Sequence, residues 1–348
     1  MNNKIILQAL MGLDIGGAET HVIELSMELK RRGYEVIVAS NGGIYEPLLR
    51  EYGIETINIP LHSKKPSAIF QSIKGLYKTI KEREIGLIHS HARIPSSILY
   101  LLQKILDFNM ITTAHGEFRV NPILKRISKW GDKVFVVSDD IKTYLIENYN
   151  IDEKQIYKTV NGIDTAKFKS GNEYINNDYI VHISRLDKST SMIAKYLIKY
   201  ARDNPHYQVL IVGGGSSLDE LEKMAKGLKN ISFVGESADI ARYLNKARLF
   251  IGISRSALEA MCYNIPIILA GDSGYMGIVN KEELKEAEYN NFTARNTRSA
   301  SYELIKKDID FLLNGGKKDR SWERQYIKEN YSVGKMVDYY EEVYKSYL

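Results

Sequence analysis

Cysteine and long apolar segments are the two features that this sequence has least of. Cys262 is the only cysteine among 348 residues, which excludes a disulfide within the chain and a cysteine-rich zinc site. No segment approaches the roughly 20 consecutive apolar residues that a membrane-spanning helix needs. The apolar run from Ile5 to Leu10 is too short for the core of a secretory signal peptide. We therefore expect a cytoplasmic protein.

The excess of positive charge is small and uneven. The chain has 48 Lys and Arg against 43 Asp and Glu, a net charge of +5, and residues 1–170 hold 23 of the basic and 19 of the acidic side chains. Basic clusters at Lys30–Arg32, Lys64–Lys65 and Lys125–Lys129 suit peripheral contact with anionic lipid at the inner face of the membrane, or an anionic acceptor. Solvated helix ends explain these clusters equally well. No nucleic-acid-binding motif accompanies them, so nucleic acid is not an expected partner.

Apolar runs of strand length alternate with amphipathic stretches along the chain. A parallel sheet covered by helices on both faces produces this pattern. The helix predicted from Ala18 to Arg32, for example, places Val22, Leu25 and Leu29 on one face and ends at Gly33. The predicted strands are Lys4–Leu10, Glu35–Ser40, Glu55–Pro60, Leu87–His91, Met110–His115, Lys133–Ser138, Tyr179–Ser184, Gln208–Val212, Ile231–Val234, Leu249–Ile253 and Ile265–Ala270.

One polar stretch interrupts this alternation. It runs from Asn161 to Asp178 and is poor in large aliphatic residues. The chain is also longer than a typical single domain. We predict an α/β protein of two Rossmann-like, doubly wound domains facing each other across a cleft, the first over residues 1–170 and the second over residues 171–330. A terminal helix at residues 331–348 carries an apolar stripe that either domain could bury.

Two glycine-rich turns follow predicted strands. Gly16 and Gly17 precede the first helix, where paired glycines let backbone amides approach a phosphate or a sugar near the positive end of the helix. A tight strand-to-helix turn requires glycine as well, so this signal is weak alone. In the second turn, Gly213–Gly215, Leu218 stands where the dinucleotide-binding fingerprint has glycine or alanine. We interpret that turn as a packing turn.

Two strands of the first domain end in polar side chains. His91 and Arg93 follow one strand, and His115 and Glu117 follow another. Because the carboxyl ends of parallel strands meet at one edge of the sheet, these residues should line a cleft. A lone histidine is usually structural, whereas two neighbouring strand ends favour a functional role. A two-histidine metal site is not favoured, since no carboxylate lies at an informative spacing.

The second domain places cations and a helix start at its strand ends. Arg185 directly follows an apolar strand and Lys188 comes three residues later, and both suit a diphosphate. Farther along, a strand ends at Ile253 and a short helix is predicted to begin near Ser256, with free amides for a phosphate. Glu259 can accept hydrogen bonds from ribose hydroxyls, although a glutamate there also stabilises the helix dipole.

The order of these segments resembles glycosyltransferase family 4 over nearly the whole chain. The resemblance implies the GT-B fold, transfer from a nucleotide-sugar donor with retention of anomeric configuration, and no catalytic metal or other cofactor. It also implies that the first domain binds the acceptor and the second the donor. The segments that carry it are Gly16–Glu19, His91, His115, Val160–Asp164, Ser184–Leu186, Val212–Gly215, Phe233–Gly235, Leu258–Met261, Ile265–Ile268 and Tyr331–Tyr344.

The same resemblance implies roles for individual residues. His115 lies near the transferring sugar and Arg185 neutralises the leaving diphosphate, so these two are the expected catalytic residues. The expected donor-binding residues are Gly16, Gly17, Arg185, Lys188, Ser254, Arg255, Ser256 and Glu259. The expected residues of the acceptor side or cleft are His91, Arg93 and Glu117.

Three departures from the family pattern fall in the donor site. Ile251 replaces the first glutamate of the usual pair, for which Ser254 or Arg255 can substitute, in a shortened strand-to-helix loop. Thr190 occupies the place of the usual lysine. Gly274–Gly277 replaces the usual glycine-rich loop that ends in glutamate.

The sequence therefore predicts a retaining transferase that moves a sugar from a nucleotide-sugar donor to a glycan or lipid-linked acceptor of the cell envelope. A UDP-sugar is the preferred donor and a GDP-sugar is the second choice. Two alternatives stay open. A nucleotide-sugar epimerase or hydrolase could use the same architecture. A catalytically inactive partner subunit that binds a nucleotide sugar would explain the missing glutamate and lysine.

Overall fold

A computed structural model describes residues 5–169, 178–316 and 319–348. The chain divides into two compact units, one of Met1–Gly162 with Val333–Leu348 and the other of Ile163–Ser332. We call them the first unit and the second unit. The predicted strand start at Lys4 and the predicted boundary between residues 170 and 171 lie outside the described residues.

The first unit is built on a parallel sheet of seven strands in the order β3-β2-β1-β4-β5-β6-β7. The chain therefore starts in the middle of the sheet and winds outward in both directions. Its elements are β1 (Ile5–Ala9), α1 (Gly17–Arg31), β2 (Glu35–Ser40), α2 (Glu46–Glu51), β3 (Glu55–Asn58), α3 (Pro66–Glu82), β4 (Leu87–Ser90), α4 (Arg93–Leu102), β5 (Asn109–Ala114), α5 (Pro122–Ile127), β6 (Lys133–Val136), α6 (Asp139–Tyr149) and β7 (Ile156–Lys158). The short strand β7 was not predicted.

The central strands bring three loops to one edge of this sheet. Ala9 at the end of β1 pairs with Ser90 in β4, and Ser90 pairs with Thr112 in β5. Apolar side chains fix this register, because they fill a buried cluster that includes Leu7, Ile88 and residues of α3 and α4. A slip by one residue would turn those side chains away from the core. The residues that follow β1, β4 and β5 consequently emerge side by side.

The last helix, α14 (Val333–Tyr344), belongs to the first unit and packs on α1. Its apolar stripe is buried, and Arg32 donates hydrogen bonds of 2.8 Å to both Asp338 and Glu341. Arg31 and Arg32 each also pair with Glu28. Two cations of the Lys30–Arg32 cluster are therefore held in ion pairs within the unit, which partly neutralise the cluster.

The second unit contains a six-stranded sheet in the order β10-β9-β8-β11-β12-β13. Its elements are β8 (Tyr179–Ile183), α7 (Met192–Asp203), β9 (Gln208–Val212), α8 (Leu218–Met224), β10 (Ile231–Phe233), α9 (Ala241–Leu244), β11 (Ala247–Gly252), α10 (Ser254–Met261), β12 (Ile267–Gly271), β13 (Gly274–Ile278), α11 (Leu284–Tyr289), α12 (Tyr302–Leu313) and α13 (Glu323–Asn330). Both sheets have the doubly wound order, which confirms the predicted fold class.

Two segments of the second unit differ in detail from the sequence analysis. Gly274–Gly277, which stands in place of the family's glycine-rich loop, lies in β13, which pairs with β12 in the antiparallel direction. Only Asp272 and Ser273 separate the two strands, and so short a connection can join only antiparallel strands. The helix predicted to begin near Ser256 begins at Ser254.

A helix that crosses a membrane needs roughly 20 predominantly apolar residues. Within residues 5–169, 178–316 and 319–348, no helix is both long enough and apolar enough to cross a bilayer.

Candidate active site

The first helix of the first unit begins at the glycine pair. Gly16 is extended and precedes α1, Gly17 is its first residue, and Gly16 has no side chain that could cap the helix. A Cβ built on Gly17 would meet no atom within 4 Å, whereas one on Gly16 would lie 2.0 Å from the Glu19 carboxylate. The helix start therefore has space beside Gly17, with the negative charge of Glu19 next to Gly16.

His91 and His115 contact each other at the carboxyl edge of the first sheet. His91 Nδ1 lies 3.1 Å from His115 Nε2, and His91 Nε2 lies 2.7 Å from Gln8 Oε1. Gln8 belongs to β1, so three neighbouring strands contribute to one line of contacts. We did not predict Gln8 as part of the site. The available signal was an amide in the middle of an otherwise apolar strand.

Burial keeps these histidines neutral. It lowers the pKa of His115 to about 4, and it lowers the pKa of His91 well below the usual value, with neighbouring imidazoles adding to the effect. A neutral imidazole has one N–H donor and one acceptor nitrogen. Near pH 7 the pair can therefore orient a hydroxyl group, but it does not bring a positive charge to a leaving group.

A second string of polar side chains lies against this pair, and the sequence did not reveal it. Tyr344 is hydrogen-bonded through its hydroxyl to His89 Nδ1, and His89 Nε2 lies 2.7 Å from Thr113 Oγ1. The Tyr340 hydroxyl lies 2.9 Å from both Thr113 Oγ1 and His21 Nε2. We interpreted the tyrosines of α14 as an apolar stripe. Their four-residue spacing was the missed signal, because it places both hydroxyls on one side of the helix.

Arg93 and Glu117 have different surroundings. The Arg93 guanidinium donates a hydrogen bond of 2.9 Å to the carbonyl of Arg119 and lies 5.0 Å above the Phe118 ring. Arg93 therefore fixes the loop that follows His115. Glu117 lies exposed in that loop.

In the second unit, Arg185 is exposed and lies two residues after the end of β8. Asp187, the nearest carboxylate in sequence, accepts hydrogen bonds from the Ser216 amide and hydroxyl at 2.9 and 3.0 Å. Across the described parts of the chain, Arg185 makes no ion pair and its guanidinium makes no hydrogen bond. Lys188 is exposed in the same loop. This strand end thus presents two exposed cations, with Asp187 and Glu220 close enough to interact with them electrostatically.

The second glycine-rich turn is shaped by packing. A Cβ on Gly213 would lie 1.8 Å from the Ser184 carbonyl oxygen, one on Gly214 would lie 2.5 Å from Glu236, and one on Gly215 would lie 2.5 Å from the Leu186 backbone. Gly213 and Gly215 also have φ values of 142° and 148°, which side chains disfavour. The turn therefore lets the loops after β8 and β9 approach each other.

The start of α10 is a strained turn. Ser254 has a φ of 56°, a left-handed conformation that costs energy in residues other than glycine. Its amide donates a hydrogen bond of 2.6 Å to the Phe292 carbonyl. Ser256 donates its hydroxyl proton to the Ile253 carbonyl at 2.9 Å. Any phosphate bound here would consequently be held by backbone amides of the first turn.

Arg255 and Glu259 form a buried ion pair on α10. Arg255 Nε lies 2.9 Å from Glu259 Oε1, and the two residues are 8% and 4% exposed. The sequence assigned both residues to the donor separately and did not predict that they pair. Their four-residue spacing was the available signal.

Metal ligands do not cluster in the parts of the chain that the structure describes: no group of three or more His, Cys, Asp or Glu side chains there could hold a metal ion. His91 and His115 instead use one ring nitrogen each on the other.

Two family profiles cover most of the chain. The profile described as Glycosyltransferase Family 4 matches residues 15–167, and the profile described as Glycosyl transferases group 1 matches residues 164–329. Among curated proteins, an O-antigen biosynthesis glycosyltransferase of Escherichia coli, WbnH, is 24% identical over 337 residues, which cover 92% of this chain and 94% of that protein.

Solved structures share the fold. A glycosyltransferase from Rickettsia africae superposes with a TM-score of 0.78 at 22% identity, and each chain is covered to 99%. HepE from Anabaena, solved with UDP and glucose, superposes with a TM-score of 0.80 at 16% identity, covering 98% of this chain and 99% of that one. These similarities assign the GT-B fold.

Proposed function

Because the chain is a glycosyltransferase of the group 1 kind, we propose that it transfers a sugar from a UDP-sugar to a glycan or lipid-linked acceptor with retention of anomeric configuration. The choice of donor is supported by HepE, which has been solved with UDP and with UDP-glucose. The choice of acceptor is supported by the O-antigen glycosyltransferase among the relatives.

Arg185 is the observation that carries this proposal. When the bond between the sugar and UDP breaks, negative charge develops on the departing diphosphate, and a preorganised cation stabilises that charge. Arg185 is exposed near a strand end and makes no direct ion pair among the described residues, although the Asp187 carboxylate is close enough to interact with its charge. We assign it this role, assisted by Lys188 and by the first amides of α10.

His115 is proposed to contact the transferred sugar. The imidazole is neutral at physiological pH because its pKa is lowered by burial to about 4, so it acts through hydrogen bonding. Gly16 and Gly17 are proposed to lie against the diphosphate or sugar of the donor. His91, Arg93 and Glu117 are proposed to shape the acceptor side.

Glu259 is proposed to bind the ribose of the nucleotide. Its ion pair with Arg255 fixes the direction of the carboxylate on α10, and a carboxylate is a strong acceptor for hydroxyl groups. Ser254 and Ser256 complete the proposed donor-binding turn.

The acceptor side is proposed to contact anionic lipid through a surface formed by α4 and α5. No residue of α5 is buried, and the Ser97 hydroxyl on α4 donates to the Ile127 carbonyl at 3.0 Å, which holds the two helices together. Apolar residues and cations lie on these helices and directly after them, all exposed except the half-buried Lys129, and we define them as the basic-apolar surface: Leu101, Lys104, Ile105, Ile123, Lys125, Arg126, Ile127 and Lys129. That combination suits a negatively charged bilayer surface.

The proposal is tested by incubating the protein with UDP-glucose, UDP-galactose and UDP-N-acetylglucosamine, with and without a panel of glycan and lipid-linked acceptors. Release of UDP that depends on an acceptor, with the same anomer in product and donor by NMR, is the expected result. Equal UDP release without acceptor would indicate a hydrolase. Calorimetric binding of a UDP-sugar without turnover on any acceptor would indicate an inactive subunit.

A further inference from the structure

The line of contacts from Gln8 to His115 fixes where protons lie on two imidazole rings. Gln8 Oε1 is a carbonyl oxygen and only accepts hydrogen bonds. It lies 2.7 Å from His91 Nε2, so His91 Nε2 carries a proton and donates it.

The contact between His91 and His115 has its donor and acceptor determined in the same way. His91 is buried and neutral, so a ring that carries its proton on Nε2 has a lone pair on Nδ1. His91 Nδ1 lies 3.1 Å from His115 Nε2. Two nitrogens at this distance share one proton, and it must therefore be carried by His115 Nε2.

The remaining nitrogen of His115 is then determined. A neutral His115 with a proton on Nε2 has a lone pair on Nδ1. Within residues 5–169, 178–316 and 319–348, His115 Nδ1 has no hydrogen-bond partner. This nitrogen is consequently an acceptor that is available to a ligand.

We propose that Gln8 and His91 are positioning residues that hold His115 in the Nε2–H tautomer, so that His115 Nδ1 accepts a hydrogen bond from a hydroxyl of the transferred sugar. The part about the sugar rests on the proposed function, because it uses the assignment of His115 to that sugar. The tautomer itself does not depend on the reaction.

Packing around the two rings preserves this geometry. The His89 ring centroid lies 4.0 Å from that of His91, and the His21 ring lies edge-on to that of His115 at 4.8 Å. His89 and His21 are themselves held by Tyr344 and Tyr340 of α14. The imidazoles of His91 and His115 cannot rotate by half a turn without displacing these neighbours. Each ring nitrogen therefore keeps its contact, and the contacts determine the tautomer.

Nitrogen-15 NMR of the full chain with labelled histidine tests the proposal directly, in the absence of donor. We expect His115 and His91 to carry their protons on Nε2 at pH 7. His182 supplies a reference of the opposite kind within the same spectrum: its Nδ1 lies 2.8 Å from the Ile251 carbonyl and its Nε2 lies 2.8 Å from the Ser184 hydroxyl, so it should carry its proton on Nδ1. A proton on Nδ1 of His115 would mean that Gln8 turns its amide nitrogen to His91, and would overturn the proposal.

Variants of Gln8 then test whether the contacts from Gln8 through His91 to His115, which we call the relay, determine the tautomer of His115. Gln8→Leu removes the acceptor, and we expect His115 to become a mixture of both tautomers while His182 is unchanged. Gln8→Glu keeps an acceptor oxygen and should restore the Nε2–H form. If His115 keeps a single tautomer in folded Gln8→Leu, Gln8 is not a positioning residue.

Turnover separates this proposal from the proposed function. With a UDP-sugar and an acceptor, we expect Gln8→Leu to lower kcat about tenfold while the KM for the donor changes less than twofold, and Gln8→Glu to recover most of kcat. A changed tautomer with unchanged kcat would refute the contact between His115 and the sugar but leave the relay intact. An unchanged tautomer would refute the relay whether or not the protein transfers sugar.

Discussion

The two units share a strand order but differ in the chemistry of their strand ends. In the first unit the strand ends carry buried, neutral histidines that hydrogen-bond to one another and to α14. In the second unit they carry an exposed Arg185 and strongly packed glycines. The same topology therefore presents different chemistry in the two units, hydrogen-bonding groups in one and exposed cations in the other, as the two proposed kinds of recognition require.

This difference has a consequence for acid stability, which is the largest effect we predict. Burial lowers the pKa of His89, His91 and His115 in the first unit. Below the unfolded pKa of 6.5 the unfolded chain binds protons that the folded unit does not, so stability falls as pH drops from about 6.5 toward 4. Between pH 7 and pH 5 all three histidines therefore destabilise the folded unit.

The second unit should respond differently. Burial lowers the pKa of His182 to about 4, but it also raises the pKa of the Glu323 carboxyl. A raised folded pKa means that the folded unit binds the additional proton, so Glu323 stabilises this unit as pH falls toward 4.5. The two contributions have opposite signs and partly cancel, so we expect a smaller net change than in the first unit.

Single-tryptophan variants measure the two units separately. Trp322→Phe leaves Trp130 as the reporter of the first unit, and Trp130→Phe leaves Trp322 as the reporter of the second. In urea unfolding at pH 7 and pH 5, we expect the Trp130 midpoint to fall by far more than the Trp322 midpoint. Equal shifts of both midpoints would contradict the assigned difference between the units.

The charge assigned to the second unit is tested by Arg185→Ala. We expect kcat to fall about a hundred- to a thousandfold, or about 3 to 4 kcal/mol, because a preorganised cation at the leaving group is lost. Arg185→Lys should recover only part, since lysine lacks the two-pronged geometry. Arg248→Ala is the matched control, because Arg248 is exposed near the amino end of β11. Near wild-type turnover in folded Arg185→Ala would remove the phosphate role.

The sequence predicted the two doubly wound sheets because buried parallel strands are nearly continuous apolar runs. It did not predict β13, since Tyr275 lies among glycines that are typical of a loop. It located His91 and His115, because histidines at the ends of apolar strands stand out. It missed Gln8 and Tyr340, since their roles depend on contacts between distant parts of the chain, and propensity carries no information on such contacts.

The proposed role of Glu259 in donor binding is tested by the substitution Glu259→Gln. We expect the affinity for UDP to fall by about 1 to 3 kcal/mol, the usual size of a hydrogen bond to a charged group. Calorimetry gives the affinity, and the melting temperature shows whether loss of the pair with Arg255 also destabilises α10. Glu220→Gln, which breaks an exposed pair with Lys195, is the control. A lower melting temperature with unchanged UDP affinity would make Glu259 a structural residue only.

The smallest predicted effect concerns the basic-apolar surface of the first unit. Arg126 is exposed on α5, and a cation close to an anionic bilayer contributes about 1 kcal/mol. Arg126→Gln should therefore weaken binding to phosphatidylserine-containing liposomes, measured by sedimentation, about fivefold at low salt. High salt should abolish binding of both the wild type and the variant, because it screens the charges. Lys226→Gln, an exposed cation of the second unit, should leave binding unchanged. Equal sedimentation with neutral and anionic liposomes would mean that charge does not direct the first unit to lipid, and the acceptor would then have to be found in solution.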